Sequence, residues 1–286
     1  MELDYVRLYI EGSSARSSPL SVLSLIILAM GRIGPIIGLS PFFGARILPA
    51  PVKIVMGLCF AAIILPKLIF AGETQVTFTT DLVFLMLKEV LIGTIFGFFL
   101  GLPFLMVSSS GIFIDHQRGA ASLMTNDPTI QNQSSPIGTL YNLVLITVFW
   151  ALSGPFYVLD SLFQSYELLP PDQWLPLPFI AEHSLTHERI IHVLIVFSTI
   201  SLQLCMPALL ALLMTDTFLG IINRMAPQVQ ITFLGMGLKS WFAILIVCLG
   251  FVPFVNQLSK QVESWIIEFQ TIVQECCLQP PAKLTS

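Results

Sequence analysis

Charged residues are scarce in this chain: Asp, Glu, Lys and Arg make up only 10% of its 286 residues, whereas 55% are hydrophobic. A soluble domain carries roughly 25% charged residues. Thirteen basic and seventeen acidic side chains, with a net charge of −4, are too few to cover twenty-two Phe and four Trp with a polar surface. This scarcity excludes a cytosolic globular enzyme, a disordered chain and a basic nucleic-acid-binding protein. It indicates an integral membrane protein.

Patterns typical of catalysis and metal binding are also missing. The five Cys show neither CxxC spacing nor a disulfide framework. His187 and His192 are five residues apart, whereas the zinc-protease motif needs four, and the His183/His187 pair has no third ligand. No P-loop, dinucleotide fingerprint or nucleophile elbow occurs. We therefore expect no enzymatic activity, no metal and no cofactor.

Six apolar stretches are long enough to cross a hydrocarbon layer about 30 Å thick. They are residues 20–39, 52–71, 82–107, 137–159, 190–214 and 231–258. Their apolar runs are continuous rather than alternating, which favours helices over a β-barrel. The predicted fold is an all-α membrane protein of about six apolar, proline-kinked segments. We divide the chain into a polar, retained N-terminal segment (1–19), a single helical membrane domain (20–260) and a C-terminal tail (261–286).

Each apolar stretch contains a proline in its second half. These are Pro35, Pro66, Pro103, Pro155, Pro207 and Pro253. Proline removes a backbone donor and clashes with the preceding turn, so each helix is expected to kink or stop there. The freed carbonyl groups need partners other than lipid. The pattern therefore favours short or broken helices packed within protein over straight rods in lipid.

Five charged residues lie inside the apolar stretches, where a charge costs at least ~2.5 kcal/mol at the bilayer centre. For Arg32, Lys88 and Glu89 we favour a polar interior or a subunit contact. For Lys67 and Lys239 the alternative to a buried position is that the long side chain reaches the membrane–water interface from the end of a helix. Neighbouring residues on a helix diverge by about 100°, so Lys88 and Glu89 are each expected to find a partner elsewhere.

The third apolar stretch carries glycine at every fourth position: Gly93, Gly97 and Gly101. Such spacing removes side chains from one helix face and lets another helix approach closely; the alternative is a chance pattern in a glycine-rich chain. The longest polar connections are expected at 108–136 and 160–189. Lys and Arg are spread too evenly over the connections to orient the chain in the membrane.

Several residue clusters, in this order and spacing, carry a family resemblance. They are Arg32–Pro35, Pro41–Phe43, Pro49–Lys53, Lys88–Gly93 with Gly97, Gly111–Asp115, Gly119, Asn126–Pro128, and Asp216, Gly220, Arg224, Pro227 and Gln228, followed by Phe233 and Lys239. The chain resembles the T subunit of the type III secretion export apparatus, called SctT, SpaR or YscT, and its flagellar counterpart FliR. The resemblance covers roughly residues 20–260, and the stretch from Asp216 to Gln228 is its most specific part.

The resemblance implies an export-gate component of the bacterial inner membrane. Family members resemble a fusion of their R- and S-type partner subunits and pack as kinked helical hairpins around a pore for unfolded substrates. The implied partners are the R- and S-type subunits, the U-type switch and V-type gate subunits, and the secreted proteins. The resemblance also implies that the motif from Asp216 to Gln228 takes part in assembly. This motif is added to the glycine face and to the charged residues Arg32, Lys88 and Glu89.

The segment 122–136 resembles the segment that plugs the closed pore in the flagellar relative. The residues concerned are Ser122, Met124, Thr125, Asn126, Asp127 and Pro128. So polar a stretch cannot lie in lipid, because its backbone groups would stay unsatisfied. We expect it to occlude the resting channel; the alternative is a plain surface loop.

Two other classes of protein compete with an export gate. A six-helix permease for a small solute would place its charges and broken helices at a midplane site, and an inverted repeat would support it. The unequal spacing of the prolines shows no such repeat. An intramembrane enzyme would need a catalytic constellation, which the sequence lacks.

Overall fold

Helices account for nearly all of the residues that the computed structural model of the chain describes, namely 19–44, 48–71, 80–119, 135–173, 185–225 and 231–277. Within those ranges there are eight α-helices and no strand. They are α1 (Pro19–Leu39), α2 (Ala50–Ala71), α3 (Thr80–Gln117), α4 (Pro136–Ala151), α5 (Gly154–Leu168), α6 (Leu185–Met225), α7 (Ile231–Leu249) and α8 (Phe251–Cys277), with a short 3₁₀ turn at Pro41–Phe43. The predicted all-α fold is confirmed.

In the part of the chain that the structure describes, four helices are individually long and apolar enough to cross a membrane: Ser21–Leu39, Ala50–Ile69, Asp81–Gln117 and Ile191–Met225. Two further pairs qualify together and are bent between their helices. Pro136–Ala151 and Gly154–Leu168 meet at 70°, and Gly235–Leu249 and Phe251–Thr271 meet at 60°. Counting each bent pair as one span gives six, the number that the apolar stretches predict.

The prolines divide into two groups. Pro155 and Pro253 lie in the first turns of α5 and α8, directly after the two bends. Proline is tolerated there because the first N–H groups of a helix have no intrahelical acceptor. Pro35, Pro66, Pro103 and Pro207 lie inside helices that continue past them. The expectation of short or broken helices therefore holds at two of the six prolines, since losing one backbone hydrogen bond does not end a helix whose other bonds persist.

Two expected connections are shorter than the sequence suggested. Helix α3 continues through residues 108–117, and α5 includes residues 160–168. The hydroxyl of Ser109 donates to the carbonyl of Leu105, and that of Ser110 to the carbonyl of Val107, each at 2.7 Å. Serine can satisfy its hydroxyl within the helix in this way, so polarity alone misplaced these boundaries.

One compact unit comprises Met1–Gly101, Ser153–Glu188 and Trp265–Ser286. In it, α1 runs antiparallel to α2, because Leu25 packs with Leu65 and Ile69 near the start of α1. The first part of α3 runs parallel to α1. Leu28 of α1 packs with Leu82 and Leu85 of α3, and later residues of α3 contact later residues of α1. The buried face of α8 completes the unit through an edge contact of Phe269 with Phe96, at a centroid separation of 6.2 Å.

The other compact unit comprises Leu102–Leu152 and Arg189–Ser264. Its α3 and α4 segments are antiparallel and joined by an edge contact between Phe104 and Phe149. The Tyr141 ring of α4 lies 4.2 Å from the ring of Phe254 in α8, centroid to centroid. Helices α6 and α7 form an antiparallel hairpin within the same unit.

Candidate functional site

Arg32, which is fully buried in α1, lies at the centre of a polar cluster in the first unit. Its Nε and Nη2 donate to the two carboxylate oxygens of Glu89 at 2.6 and 3.0 Å. Its Nη1 donates to the carbonyl and hydroxyl oxygens of Ser165, and Nη2 also donates to the carbonyl of Leu169 at 2.9 Å. All five N–H groups of the guanidinium thus have an acceptor. The arrangement ties α1 to both α3 and the end of α5.

Tyr166 encloses the guanidinium from one side. Its ring centroid lies 4.2 Å from the guanidinium carbon of Arg32, a distance at which a cation is attracted to an aromatic face. The Tyr166 hydroxyl donates to the carbonyl of Ala29 at 3.0 Å. Because the buried cation is paired, hydrogen-bonded and stacked, its desolvation cost is offset within the protein.

Lys88 joins this cluster from the next position of α3. Its ammonium lies 2.9 Å from Glu89 Oε1 and donates to the carbonyls of Pro170, Pro171 and Gln173 at 3.1, 3.3 and 2.8 Å. Lys88 and Glu89 each have the partner elsewhere that the sequence predicted, the backbone carbonyls for Lys88 and Arg32 for Glu89, but the two residues also pair with each other. Their Cβ atoms diverge on the helix, but the long lysine side chain folds back to the carboxylate while it holds the turn after α5.

The two lysines for which a position at the interface was the alternative each have an acidic partner. Lys67 of α2 pairs with Glu167 of α5 at 2.6 Å, and both side chains are about half exposed. Lys239 of α7 pairs with Asp216 of α6. Asp216 also accepts a hydrogen bond of 3.1 Å from Gln117 at the end of α3. This carboxylate, which belongs to the motif singled out in the sequence, thus joins three helices of the second unit.

The glycine face of α3 lies against α1. A Cβ atom added at Gly97 would stand 2.9 Å from the carbonyl oxygen of Pro35, and one at Gly93 would collide with the carbonyl of Arg32. At Gly101 the corresponding contact, with the carbonyl of Leu39, is looser at 3.4 Å. The backbones of the two parallel helices approach most closely at the first two glycines, directly beside the Arg32 cluster. Only glycine fits there without moving α1.

A second close approach joins α3 to α4. An added Cβ at Gly111 would collide with the backbone of Gly138. Nearby, Asp115 Oδ2 accepts a hydrogen bond from the backbone N–H of Ile137 at 3.0 Å and another from the hydroxyl of Ser135. Arg118 Nε lies 2.6 Å from Asp115 Oδ1. The sequence predicted no contact between these residues, although the Ser-Pro pair at 135–136 is a typical helix start.

These clusters hold helices together and contain no arrangement suited to reaction chemistry. Among the residues that the structure describes, no three His, Cys, Asp or Glu side chains are grouped so that they could hold a metal ion. Each charged cluster is instead surrounded by backbone acceptors or by an opposite charge. Chemically, the chain is equipped to pack helices and to position loops.

Comparison with known families decides what such a helical assembly belongs to. The family described as "Bacterial export proteins, family 1" matches residues 23–265, which is most of the chain. The chain belongs to this family.

Several characterised relatives agree with this assignment. The bacterial export protein described here is 27% identical over 218 residues to the surface presentation of antigens protein SpaR of Shigella flexneri, covering 76% of this chain and 80% of SpaR. It is 29% identical over 173 residues to the Yop proteins translocation protein T of Yersinia pestis, covering 60% and 65% of the two chains. It is 25% identical over 257 residues to the flagellar biosynthetic protein FliR of Bacillus subtilis, covering 87% and 95%.

These matches confirm that the export protein is a T-type subunit of the type III export apparatus, related to FliR. With its apolar helices, they also place it in the inner membrane as a multi-pass protein that assembles with other apparatus subunits. The permease alternative is not favoured.

The structure brings only some of the predicted site residues of the export protein together. Arg32, Lys88 and Glu89 meet in one cluster, with Gly93 beside it. Gly220 and Arg224 lie exposed on α6, at a distance from that cluster along the chain. The remaining predicted residues fall outside the described ranges: Pro227, Gln228, Ser122, Met124, Thr125, Asn126, Asp127 and Pro128.

Proposed function

We propose that this export protein packs against R- and S-type subunits to form the wall of the export gate, a pore through which unfolded secreted proteins cross the inner membrane. In this role it is a structural, non-enzymatic subunit, and the U- and V-type subunits are further partners of the same assembly. One observation supports the proposal above all: α6 is too long and too apolar to be covered by lipid alone.

Helix α6 has 41 residues, which at about 1.5 Å per residue is a length of about 62 Å. Its candidate membrane span, Ile191–Met225, is 35 residues long, or about 52 Å, and exposed apolar side chains occur from Ile191 to Met225. The hydrocarbon layer is only about 30 Å thick, and membrane helices tilt by at most about 40°. Part of this apolar helix must therefore be covered by protein, or the chain would expose it to water.

The chain itself supplies little of that cover. Only 22% of an 18-residue apolar stretch within α6 is buried, whereas 61% of the corresponding 18-residue stretch within α3 is buried. Large apolar side chains are exposed on α6 between Ile191 and Met225, including Ile195, Leu210 and Ile221. Neighbouring helices from other subunits would cover this surface.

Affinity purification in a mild detergent tests the proposal. The tagged export protein should retain R- and S-type subunits in a stable complex. A variant with Leu210 and Ile221 changed to Glu should lose them while still inserting into the membrane. A monomer that carries none of these subunits and transports a small solute in liposomes would contradict the proposal.

We further propose that the segment 122–136 occludes the resting pore. Deletion of residues 125–133 should raise the leakage of small ions across the membrane while the complex still assembles. The physical reason is that a loop opens at a lower free-energy cost than packed helices, so its removal leaves the helical wall standing. An assembled deletion mutant with unchanged permeability would show that the segment is a plain surface loop.

A further inference from the structure

A cavity of about 280 Å³ lies within the second unit, where two of its long helical spans are interrupted. On one side it is lined by Pro207, which lies inside α6. On the other side it is lined by Gly250 and Pro253, at the 60° bend between α7 and α8. Both interruptions lie near the middle of their candidate membrane spans. The cavity is therefore far from the ends of these spans, where water would be at hand.

The lining of the cavity is uncharged and mostly apolar. Tyr141, which is only 4% exposed, lines its buried side together with Phe254, and the two rings lie 4.2 Å apart, centroid to centroid. Gln203 of α6 and Gln257 of α8 line its outer side and are exposed. Among the described residues that line the cavity, the others are apolar and none is charged. Such a lining suits an uncharged occupant with a few hydrogen-bonding groups.

The polar groups of the cavity lack partners. Within the described part of the chain, the side chains of Tyr141, Gln203 and Gln257 make no hydrogen bond. Pro207 adds an acceptor, because it has no N–H to donate to the Gln203 carbonyl one turn earlier. The cavity thus offers both donors, a hydroxyl and two amide NH₂ groups, and acceptors, which are amide and backbone oxygens. Amides left unpaired in hydrocarbon are costly, so the occupant has to donate as well as accept.

This requirement distinguishes between the possible occupants. A lipid acyl ester has no N–H or O–H, so it would leave the amide oxygens of Gln203 and Gln257 without a donor. A phosphate would need a cation, and the lining has none among the described residues. Water would satisfy the amides, but it would not cover Leu202 and Met206, the exposed apolar neighbours of Gln203 and Pro207 on α6. A carboxamide on a membrane helix meets both needs, because such side chains form hydrogen bonds between helices.

We propose that the cavity receives an Asn or Gln side chain from a membrane helix of another export subunit. The amide of that side chain pairs with Gln203 and Gln257, and the rest of the helix covers the exposed apolar side chains of α6. The inference rests on the proposed function, which supplies the partner helix. It adds that the contact is selective, since a helix with apolar side chains alone would leave the two amides unpaired.

Replacing both amides by a side chain of similar size tests the inference. In the isolated chain, the double variant Gln203→Leu and Gln257→Leu should unfold at an unchanged temperature, because these amides form no hydrogen bond within the described ranges. In a mild detergent it should retain several-fold less of the R- and S-type subunits. Asn256→Leu is the matched control, because Asn256 is an exposed amide of α8 that does not line the cavity. Full retention by the double variant, or an equal loss in the control, would overturn the inference.

Photocrosslinking in the assembled complex identifies the occupant. Ile200 lies one turn before Leu204, a lining residue, on the same face of α6. A benzophenone side chain in place of Ile200 therefore reaches the mouth of the cavity. Mass spectrometry should find an adduct with a segment of another subunit that carries Asn or Gln. An adduct with lipid or with a second copy of this chain, or no adduct at all, would overturn the inference.

Failure of the proposed function would look different from failure of this contact. In the first case the unaltered chain retains no R- or S-type subunits, and the variants have none to lose. In the second case the unaltered chain and the double variant retain these subunits equally, so the structural role in the export gate stands and the amide contact is wrong.

Discussion

A guanidinium enclosed by protein needs acceptors for all five of its N–H groups, and at the residue scale Arg32 shows how this chain provides them. Two acceptors come from Glu89 and the others from Ser165 and Leu169 at the end of α5. The Leu169 carbonyl lies just past the end of α5, where carbonyls have no intrahelical donor, whereas the Ser165 carbonyl also accepts a hydrogen bond from the Leu169 N–H at 3.0 Å. The cluster therefore connects the buried cation to the end of α5.

Glu89 is the anion on which both cations of the cluster depend. We predict that Glu89→Gln lowers the free energy of unfolding by about 3–5 kcal/mol, because it leaves Arg32 buried without a counter-charge. Lys88→Gln should cost less, since Glu89 keeps both bonds to Arg32. Thermal unfolding of the purified chain in detergent, together with the amount of assembled complex, measures both effects.

Glu167→Gln is the matched control for that pair of variants. It also removes a carboxylate from an ion pair of 2.6 Å, but both partners are about half exposed, and exposed pairs contribute only about 0–1 kcal/mol. Equal unfolding temperatures for Glu89→Gln and Glu167→Gln would mean that water reaches the Arg32 cluster.

At the scale of the elements, two glycine contacts decide which helices can approach. Gly93 and Gly97 bring α3 against α1, and Gly111 brings the later part of α3 against α4. The sequence spacing of Gly93, Gly97 and Gly101 indicated a helix-packing face, but not that the neighbour is α1 of the same chain. Spacing describes one helix surface, whereas the partner depends on how the chain turns between helices.

Replacing Gly97 by Leu should separate α1 from α3. An added Cβ atom already lies 2.9 Å from the Pro35 carbonyl oxygen and 3.1 Å from the Ile36 Cα, and backbone cannot move aside as a flexible side chain can. We predict a lower unfolding temperature and failure to assemble, with membrane insertion intact. Insertion is measured by membrane fractionation and assembly by native gel electrophoresis.

Gly34→Leu is the control on α1, because among the described residues no atom outside the adjacent backbone of α1 lies within 4 Å of a Cβ at Gly34. In the isolated chain it should leave the unfolding temperature unchanged. A Gly97→Leu chain that melts like Gly34→Leu and still assembles would show that α1 and α3 do not depend on this contact.

For the whole molecule, the main feature is the mismatch between helix length and bilayer thickness. Helix α6 has 41 residues, and the chain itself buries little of its surface. Such a helix fits an assembly in which other subunits contact it along its length. The sequence located the apolar stretch at 190–214, but the helix extends to Met225 because the polar residues Thr215, Asp216 and Thr217 remain helical. The Thr215 and Thr217 hydroxyls bond to carbonyls of the preceding turn.

Thiol labelling can show that protein covers α6. Ile191 and Ile221 are exposed and about 45 Å apart along the helix, too far for one hydrocarbon layer to hide both even at the largest usual tilt. With Cys at each position, a membrane-impermeant maleimide should label at least one in the isolated chain and neither in the assembled complex. Identical labelling before and after assembly would contradict subunit cover.

The sequence by itself determined the class of protein, because continuous apolar runs with few charges leave helices in a membrane as the stable solution. It marked six prolines as sites of kinks or breaks, and the fold decided that helices end only before Pro155 and Pro253. Only the tertiary structure decided which groups meet. Glu89 and Ser165 lie 57 and 133 positions from Arg32 in the chain. No local rule connects positions so far apart, because their contact depends on the path of every helix between them. The pairing of Lys88 with Glu89 and the bonds of Asp115 to Ser135 and Ile137 have the same cause. Side-chain reach and helix packing, rather than sequence spacing, set these contacts.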